Sequence, residues 1–547
     1  MPAASPNGLI GSIPLTARSV LEVGCGEGQL LALYRSFNPA ARLCGIELDP
    51  ALAARAADHL DHAGNDAPPD ESFDCIIYQD LFGYAQAAGV NPWALIRTHL
   101  ARLTPDGVIL LRTANPGHWR HIEQLLRGTS EGAPVGPSPQ IVHDVLTAAG
   151  LIVCDVRAED ADTREARTFA AALSPGLTAI GVDPDAFQNR AAASRHVWRL
   201  LRTARPRLTI AGNMMAPVGG VSHVRVLQPL AALATDPSVT VAVTDRIGGT
   251  SPADGEARIF ILHRPSLSGP EGMATLRMLM DAGWLVVTEF DDHPDYLRVM
   301  RAGERLSFQG VHAIQTTNEN LAAVLRTRNP EVGVFPNAIP ALPEARNFAD
   351  PRAITFFFGA LNRDEDWHPL ISVINEVATM AGGRLRFQVV HDAGFFDALT
   401  TPHKAFTPLC DYETYMDLLG RCEIAFMPLA DNGFNRAKSD LKFIEAAACR
   451  VAPLASHVVY GASIDDGRTG LLFHDATELR ARLLRLVAMP ELARDIGDAA
   501  RAHVAAHRML AYQTGRRIAW YRSLWERRDA LTAALRARLA VPERTAG

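Results

Sequence analysis

A chain of 547 residues is too long for one hydrophobic core, so two to four domains are expected. With 48% hydrophobic and 21% charged residues it has the balance of an ordinary globular protein, and a net charge of -6 gives no general electrostatic case for nucleic acid. The 7 cysteines are scattered without a C-x-x-C pair, which excludes a zinc ribbon or disulfide frame and reads as reduced, mostly buried thiols of a cytoplasmic protein. Residues 1–18 lack the basic start and apolar core of a signal peptide, and no stretch is long and apolar enough to cross a bilayer.

In chain order, the first predicted element is the buried apolar strand Ser19–Val23, which ends in three alternating glycines, Gly24, Gly26 and Gly28. Glycines belong where backbone must turn tightly and lie against a ligand with no Cβ in the way. An apolar helix follows, then a second strand, Arg42–Ile46, ending in Glu47 and Asp49. An acid beyond the second strand is placed to accept hydrogen bonds from a ribose diol, and the G-x-G-x-G spacing argues for S-adenosylmethionine over a dinucleotide. Residues 50–62 read as a helix opened by proline, 73–79 as a strand with Asp80 at its end, 93–103 as a helix, 108–112 as a strand and 115–119 as a loop. This alternation predicts an open, mostly parallel α/β sheet with Gly24, Glu47, Asp80 and Asn115 beyond the carboxyl ends of its strands.

The segments SVLEVGCGEG, FDCIIYQDLFGY and LTPDGVILLRTANPGHW resemble class I methyltransferases that modify sugars and small molecules, over nearly all of residues 1–170. The resemblance implies a Rossmann-like methyltransferase sheet that binds S-adenosylmethionine through Glu22, Gly24, Gly26, Gly28, Glu47 and Asp80. The family often carries a histidine where Tyr84 stands, which leaves Tyr84 and His118 as the groups available to act as base on an accepting hydroxyl. His118 also reads as a loop histidine stacked beside Trp119. Between Asp58 and Asp74 no clear third strand is visible, and Asp66 is the available stand-in for an adenine-contacting acid. Both departures bear on activity more than on fold.

Residues 171–206 are turn-rich and then basic. The run 191–203 reads as a linker helix carrying Arg195, His196, Arg199 and Arg202, packed across two domains or laid on a membrane surface.

Strands recur at 207–211, 239–243, 259–262, 285–288, 311–315 and 333–335, and a second set at 354–358, 386–390 and 424–427. Two successive parallel units of this kind predict two Rossmann-like domains facing one cleft, with the boundary in the proline- and alanine-rich stretch 337–351. Lys438, Lys442 and Glu445 have the spacing of one helix face, on a helix expected to begin near Ser439 with its free N–H groups toward the cleft. The acids Asp291 and Asp292, with His293 beside them, follow a strand and suit either hydroxyl recognition or capping.

The segments PVGGVSHVRVLQPL, VGVFPNAI, FFFGALNR and FNRAKSDLKFIEAAACRVAPLAS, with DDGRTGLLF after the last, resemble retaining GT-B glycosyltransferases of family 4 over most of 207–520. The resemblance implies an acceptor-side domain, 207–345, and a nucleotide-sugar domain, 346–520. Gly219, Gly220, Arg363, Lys438, Ser439, Lys442 and Glu445 would contact the donor, Lys438, Lys442 and Glu445 serving catalysis as well. Asp291, Asp292 and His293 would face the acceptor. Two departures are plain. The partner lysine expected after Arg363 is replaced by Asp364-Glu365-Asp366-Trp367, so Lys438 or Lys442 is expected to supply the charge. Ala437 stands where a sugar-contacting glutamate is expected. No metal is expected, because cationic side chains and a helix terminus can stabilise the leaving diphosphate. The end of the chain, 516–540, reads as one arginine-rich amphipathic helix whose stripe Ile518, Tyr521, Trp525, Leu531, Leu535 and Leu539 packs back on the protein or meets an anionic inner membrane face.

The sequence thus predicts a fusion of two transferases that methylates and extends a bacterial surface glycan on a lipid carrier. The competing expectations are a glycosyltransferase with a degenerate methyltransferase scaffold, and a non-enzymatic glycan-binding module.

Overall fold

The computed structural model describes residues 8–129, 136–214, 220–244, 255–297, 300, 305–348, 350 and 352–540. The chain divides into two compact units, one of Met1–Arg207 with Ala234–Val239, the other of Leu208–Leu233 with Thr240–Gly547. Among the described residues no helix is long and apolar enough to cross a membrane.

The first unit is built on a seven-stranded sheet. Its strands are β1 (Ser19–Val23), β2 (Arg42–Ile46), β3 (His62–Gly64), β4 (Phe73–Tyr78), β5 (Leu103–Ala114), β6 (Ile152–Ala161) and β7 (Ala193–Leu201), in the order β3-β2-β1-β4-β5-β7-β6. The first five run parallel, and β7 lies antiparallel between β5 and β6. Strands β1 and β4 are near-continuous apolar runs because helices cover both faces of a parallel sheet; Leu21, Val23, Ile76, Tyr78, Ile109 and Leu111 share one buried cluster. The order reverses between β1 and β4, so the glycine loop after β1 and Asp80 after β4 flank the point where such sheets open a crevice.

Two sequence expectations are corrected here. The stretch after Asp58 does hold a third strand, the three-residue β3, paired in parallel with β2. The basic run 191–203 is not a linker helix: its core is β7, a strand of the first unit's own sheet. A short apolar run flanked by charges satisfies either period, and pairing on both edges decided for the strand. Arg199, 2% exposed within it, is met by the Asp155 carboxylate at 2.8 and 3.0 Å and the Ala234 carbonyl at 2.9 Å.

The second unit holds two six-stranded sheets. The first comprises β8 (Leu208–Asn213), β9 (Val239–Thr244), β10 (Ala257–His263), β11 (Leu285–Glu289), β12 (Ala313–Thr316) and β13 (Val332–Val334), in the order β13-β12-β11-β10-β8-β9. The second comprises β14 (Ile354–Gly359), β15 (Leu385–Val390), β16 (Lys404–Thr407), β17 (Ile424–Met427), β18 (Ala452–Ser456) and β19 (Leu471–Phe473), in the order β16-β15-β14-β17-β18-β19. The second sheet is parallel throughout and buried on both faces, one by Phe356, Phe358, Phe387 and Phe426, the other by Phe357, Phe443 and Ile444.

The end of the chain forms two helices, Ala511–Glu526 and Arg528–Ala540, where the sequence suggested one. Tyr521, Leu531 and Leu535 are buried, the Tyr521 hydroxyl donates to Gln315 Oε1 at 2.6 Å, and Arg538 donates to the Val311 carbonyl at 2.8 Å. The stripe is therefore packed against the β8–β13 sheet.

Candidate functional sites

In the first unit, Gly24, Gly26 and Gly28 take φ values of +74°, +56° and +78°, conformations that penalise any side chain. The turn is anchored by Gly24 N–H on the Ile46 carbonyl at 2.8 Å. A Cβ on Gly24 would lie 3.0 Å from the Tyr84 ring, and one on Gly28 3.2 Å from Leu60, whereas one on Gly26 meets nothing within 4 Å. Gly26 therefore borders open space. Its N–H donates to Glu47 Oε2 at 2.8 Å, and Asp49 N–H donates to Glu47 Oε1 at 3.1 Å, which orients that carboxylate at the end of β2.

Glu22 is fully buried in β1, and burial pushes its carboxyl up to about 7. Gln79 Nε2 donates to Oε1, but Oε2 has no partner among the described residues. Asp80 is exposed and caps the helix Leu81–Ala88 through Gly83 N–H at 3.0 Å. Tyr84, whose hydroxyl pKa is raised by burial and by Glu47, packs over Gly24. His118 stands at the start of the helix Trp119–Arg127, with its ring centroid 5.7 Å from that of Trp119. Burial, then Arg120, lowers its pKa, which favours the neutral ring. His118 and Asp80 line one cleft with Arg112, Arg120, His121 and Arg195, and Tyr84 is not among its walls. Asn115 is spent on structure: its amide donates to the Arg190 and Ala193 carbonyls at 2.8 Å each, and its oxygen accepts from Gly117 N–H at 2.9 Å.

In the second unit a cavity of about 280 Å³ collects Gly220, Arg264 and Asp291 from the β8–β13 half and Arg363, Lys438, Ser439, Lys442 and Glu445 from the β14–β19 half. Gly219 lies outside the described residues. The helix here is Leu441–Ala448, so Lys442 and Glu445 are on it, whereas Lys438 precedes it in extended backbone and does not share its face. Lys442 Nζ donates to the Gly359 carbonyl at the end of β14, and burial brings its pKa down to about 8. Glu445 is buried, its carboxyl raised by burial to about 7, and it accepts from the Tyr412 hydroxyl at 2.8 Å. Arg363 donates to Asp366 at 3.1 Å and Asn435 Oδ1 at 3.0 Å. Ser439 accepts from Asn337 Nδ2 at 2.9 Å. Ala437 is buried against the core of the β8–β13 half.

The acids after β11 are held by cations. Arg264 Nε donates to Asp291 Oδ1 at 2.6 Å; burial alone would raise the Asp291 carboxyl, but Arg264 holds it below its usual range. Lys438 Nζ donates to Asp292 Oδ1 at 2.8 Å, and lies 4.0 Å over the Phe434 ring. His293 accepts on Nδ1 from Asp295 N–H at 3.3 Å and stacks edge-on with Tyr296 at 4.8 Å. The Asp292–Lys438 pair ties the two halves of this unit together beside the cavity.

Sequence reasoning passed over several cavity residues: Tyr412 and Tyr415 on the helix Tyr412–Leu419, His391 at the end of β15, Cys410 and Tyr460. The i, i+3 spacing of the two tyrosines was the one available signal, and it reads equally as core. Tyr412 lies against Gly220, where a Cβ would come within 2.7 Å of its ring, and its ring stacks on His223 at 5.3 Å. His263, buried at the end of β10, has no partner for either ring nitrogen among the described residues.

No curated protein matches the chain. Among solved structures it is similar to S. aureus TarM (the G117R mutant in complex with fondaparinux, alpha-GlcNAc-glycerol and UDP), at 13% identity and TM-score 0.38, over 48% of this chain and 55% of that one. The chain thus spans little more than half the length of TarM. It is also similar to Anabaena HepE in complex with UDP-glucose, at 12% identity and TM-score 0.42, over 58% and 99% of the two chains. A third similarity is to the plantazolicin methyltransferase BpumL in complex with SAH, at 17% identity and TM-score 0.24, over 34% and 77%. Residues 9–134 match the family described as methyltransferase domain, and residues 373–538 the family described as glycosyl transferase-like. The chain joins a methyltransferase domain to a glycosyltransferase domain of GT-B-like fold.

Proposed function

We propose that the chain transfers a methyl group from S-adenosylmethionine in its first unit and a glycosyl group from a nucleotide-diphosphate sugar, with retention, in its second. The acceptor in this reading is a bacterial surface glycan or its lipid-linked precursor, handled at the cytoplasmic face of the membrane. Residues 207–345 form the acceptor side and 346–520 the donor side. The observation that carries the reading is that each unit gathers its own charged cleft beyond the carboxyl ends of parallel strands.

The residues of the first unit fit the cofactor: Gly26 borders open space, and the partnerless Glu22 oxygen is a buried acceptor awaiting a donor. Bound there, S-adenosylmethionine would supply a methyl group on a good leaving group, which leaves alignment as the main task of the protein. Gly24, Gly26 and Gly28 admit the ligand against backbone, Glu47 offers acceptors to the ribose diol, and neutral His118 takes the acceptor proton. Tyr84 keeps its proton and shapes the glycine loop. In the second unit Arg363, Lys438 and Lys442 would face the diphosphate, and Glu445, steadied by Tyr412, the nucleotide ribose. Asp291, which lines the cavity, would face the acceptor, with Asp292 and His293 next to it in sequence but outside the lining.

Melting temperatures measured with S-adenosylmethionine, UDP-sugars and GDP-sugars test the reading, with the product anomer assigned by proton NMR. Stabilisation by both ligand classes and a retained anomer are expected. A shift with nucleotide sugars alone would reduce the first unit to a scaffold, and an inverted product would overturn the retaining assignment.

A further inference from the structure

The cleft that holds His118 has walls unlike those of an apolar pocket. It measures about 420 Å³, and apart from its charged and histidine side chains it is lined by alanine, serine, threonine, asparagine and glutamine. An acyl chain or a large aromatic acceptor would find no apolar side chain larger than alanine there. Three arginines line it from three different elements: Arg112 from β5, Arg120 from the helix Trp119–Arg127 and Arg195 from β7. Each has a long ion pair with an acid that does not line the cleft: Arg112 with Glu159 at 3.7 Å, Arg120 with Asp162 at 3.8 Å and Arg195 with Asp160 at 3.5 Å. The one carboxylate in the lining, Asp80, is engaged at the helix start by Gly83 N–H. Arg112 is steadied by donating Nε to the Gln79 carbonyl at 3.1 Å.

We propose that the methyl acceptor is an anionic saccharide, one bearing a carboxylate or phosphate group, held in this cleft by Arg112, Arg120 and Arg195. The inference rests on the methyltransferase reading and names its second substrate. A guanidinium offers paired N–H donors in a plane, which suits the two oxygens of a carboxylate or phosphate better than the single hydroxyls of a neutral sugar. The Gln124 amide and the Ser194 hydroxyl in the same lining suit the rest of a sugar ring. Convergence from three elements fixes where the anion sits, and so which hydroxyl comes to His118.

The test uses the full chain saturated with S-adenosylhomocysteine, titrated calorimetrically with glucose, glucuronate and glucose 6-phosphate. At least one of the two anions should bind about tenfold or more tightly than glucose, and the stronger of them tells carboxylate from phosphate. Arg120→Ala and Arg195→Ala, at side chains 66% and 47% exposed, should fold normally, weaken that binding about fivefold or more each and leave S-adenosylhomocysteine affinity unchanged. These two variants also separate this cleft from the cationic cavity of the second unit. Equal affinity for glucose and both anions, or anion binding unmoved by either substitution, overturns the inference. Failure of S-adenosylhomocysteine itself to bind would strike the methyltransferase reading instead, while the anion titrations still report on the cleft.

Discussion

The Tyr412 hydroxyl donates to Glu445 Oε1 at 2.8 Å, tying the helix Tyr412–Leu419 to the helix Leu441–Ala448 inside the cavity of the second unit. The bond holds the carboxylate in one direction and offsets part of the burial that raises its pKa. A single phenolic proton thus bears on the orientation of the group assigned to the donor ribose.

Removal of that proton by Tyr412→Phe should leave the fold intact and weaken donor binding. A hydrogen bond to a charged group contributes about 1.5–3 kcal/mol, so the Kd for a nucleotide sugar should rise roughly ten- to a hundredfold. Calorimetry on the folded variant checks this; an unchanged Kd would mean that Glu445 is oriented by its own helix.

Lys442 has a pKa brought down to about 8, so glycosyl transfer should fall as pH rises through that value and the ammonium assigned to the diphosphate is lost. Lys442→Arg keeps the charge at all working pH values. Its absolute rate should drop, because the larger head must replace the bond to the Gly359 carbonyl, but its alkaline limb should move upward. A limb that stays in place would assign the titration to another group.

Glu22 illustrates the cost of burying a carboxyl group. Its carboxyl titrates near 4.5 when unfolded and at about 7 in the fold, so across that window the folded state keeps a proton the unfolded state has lost. Stability is fully present below the lower value and falls as pH rises through the higher one, by about 3 kcal/mol in all. Glu22→Gln should raise the melting temperature at pH 8, change it little at pH 4.5, and weaken S-adenosylmethionine binding. Differential scanning calorimetry at the two pH values reads the first two effects. An equal gain at both would show that the carboxylate is not strained by burial.

Gly26→Val places a side chain at φ +56°, where its Cβ meets no atom within 4 Å beyond the adjoining residues. The variant should fold with a strain cost of about 1–2 kcal/mol and lose measurable S-adenosylmethionine binding. Retained binding in the folded variant would remove the glycine loop from the cofactor site.

The two activities should be separable, because their assigned residues belong to different compact units. Glu445→Ala should cripple glycosyl transfer and spare S-adenosylmethionine binding, and Glu47→Ala should do the reverse. Glycosyl transfer should also persist in EDTA, since cationic side chains are assigned to the leaving diphosphate. Loss of both activities in either folded variant would show coupling, and a rate restored only by Mn²⁺ or Mg²⁺ would show a metal requirement.

Much of this molecule is written locally in the chain. Continuous apolar runs bounded by turns mark β1, β4, β14 and β17 because a parallel strand is buried on both faces, whatever its neighbours. The need for glycine at 24, 26 and 28 is likewise local, being a matter of backbone φ. What only the tertiary structure decided depends on partners far away in sequence. The basic run around Arg199 fits a helix as well as a strand until β5 and Asp155 lie on either side of it. Lys438 looks like a free cation until Asp292, 146 positions earlier, takes its charge. The Glu445–Tyr412 bond and the burial of Glu22 have the same origin, because a side chain's protonation and direction are set by desolvation and by the few groups within hydrogen-bond reach. Periodicity carries no record of those groups.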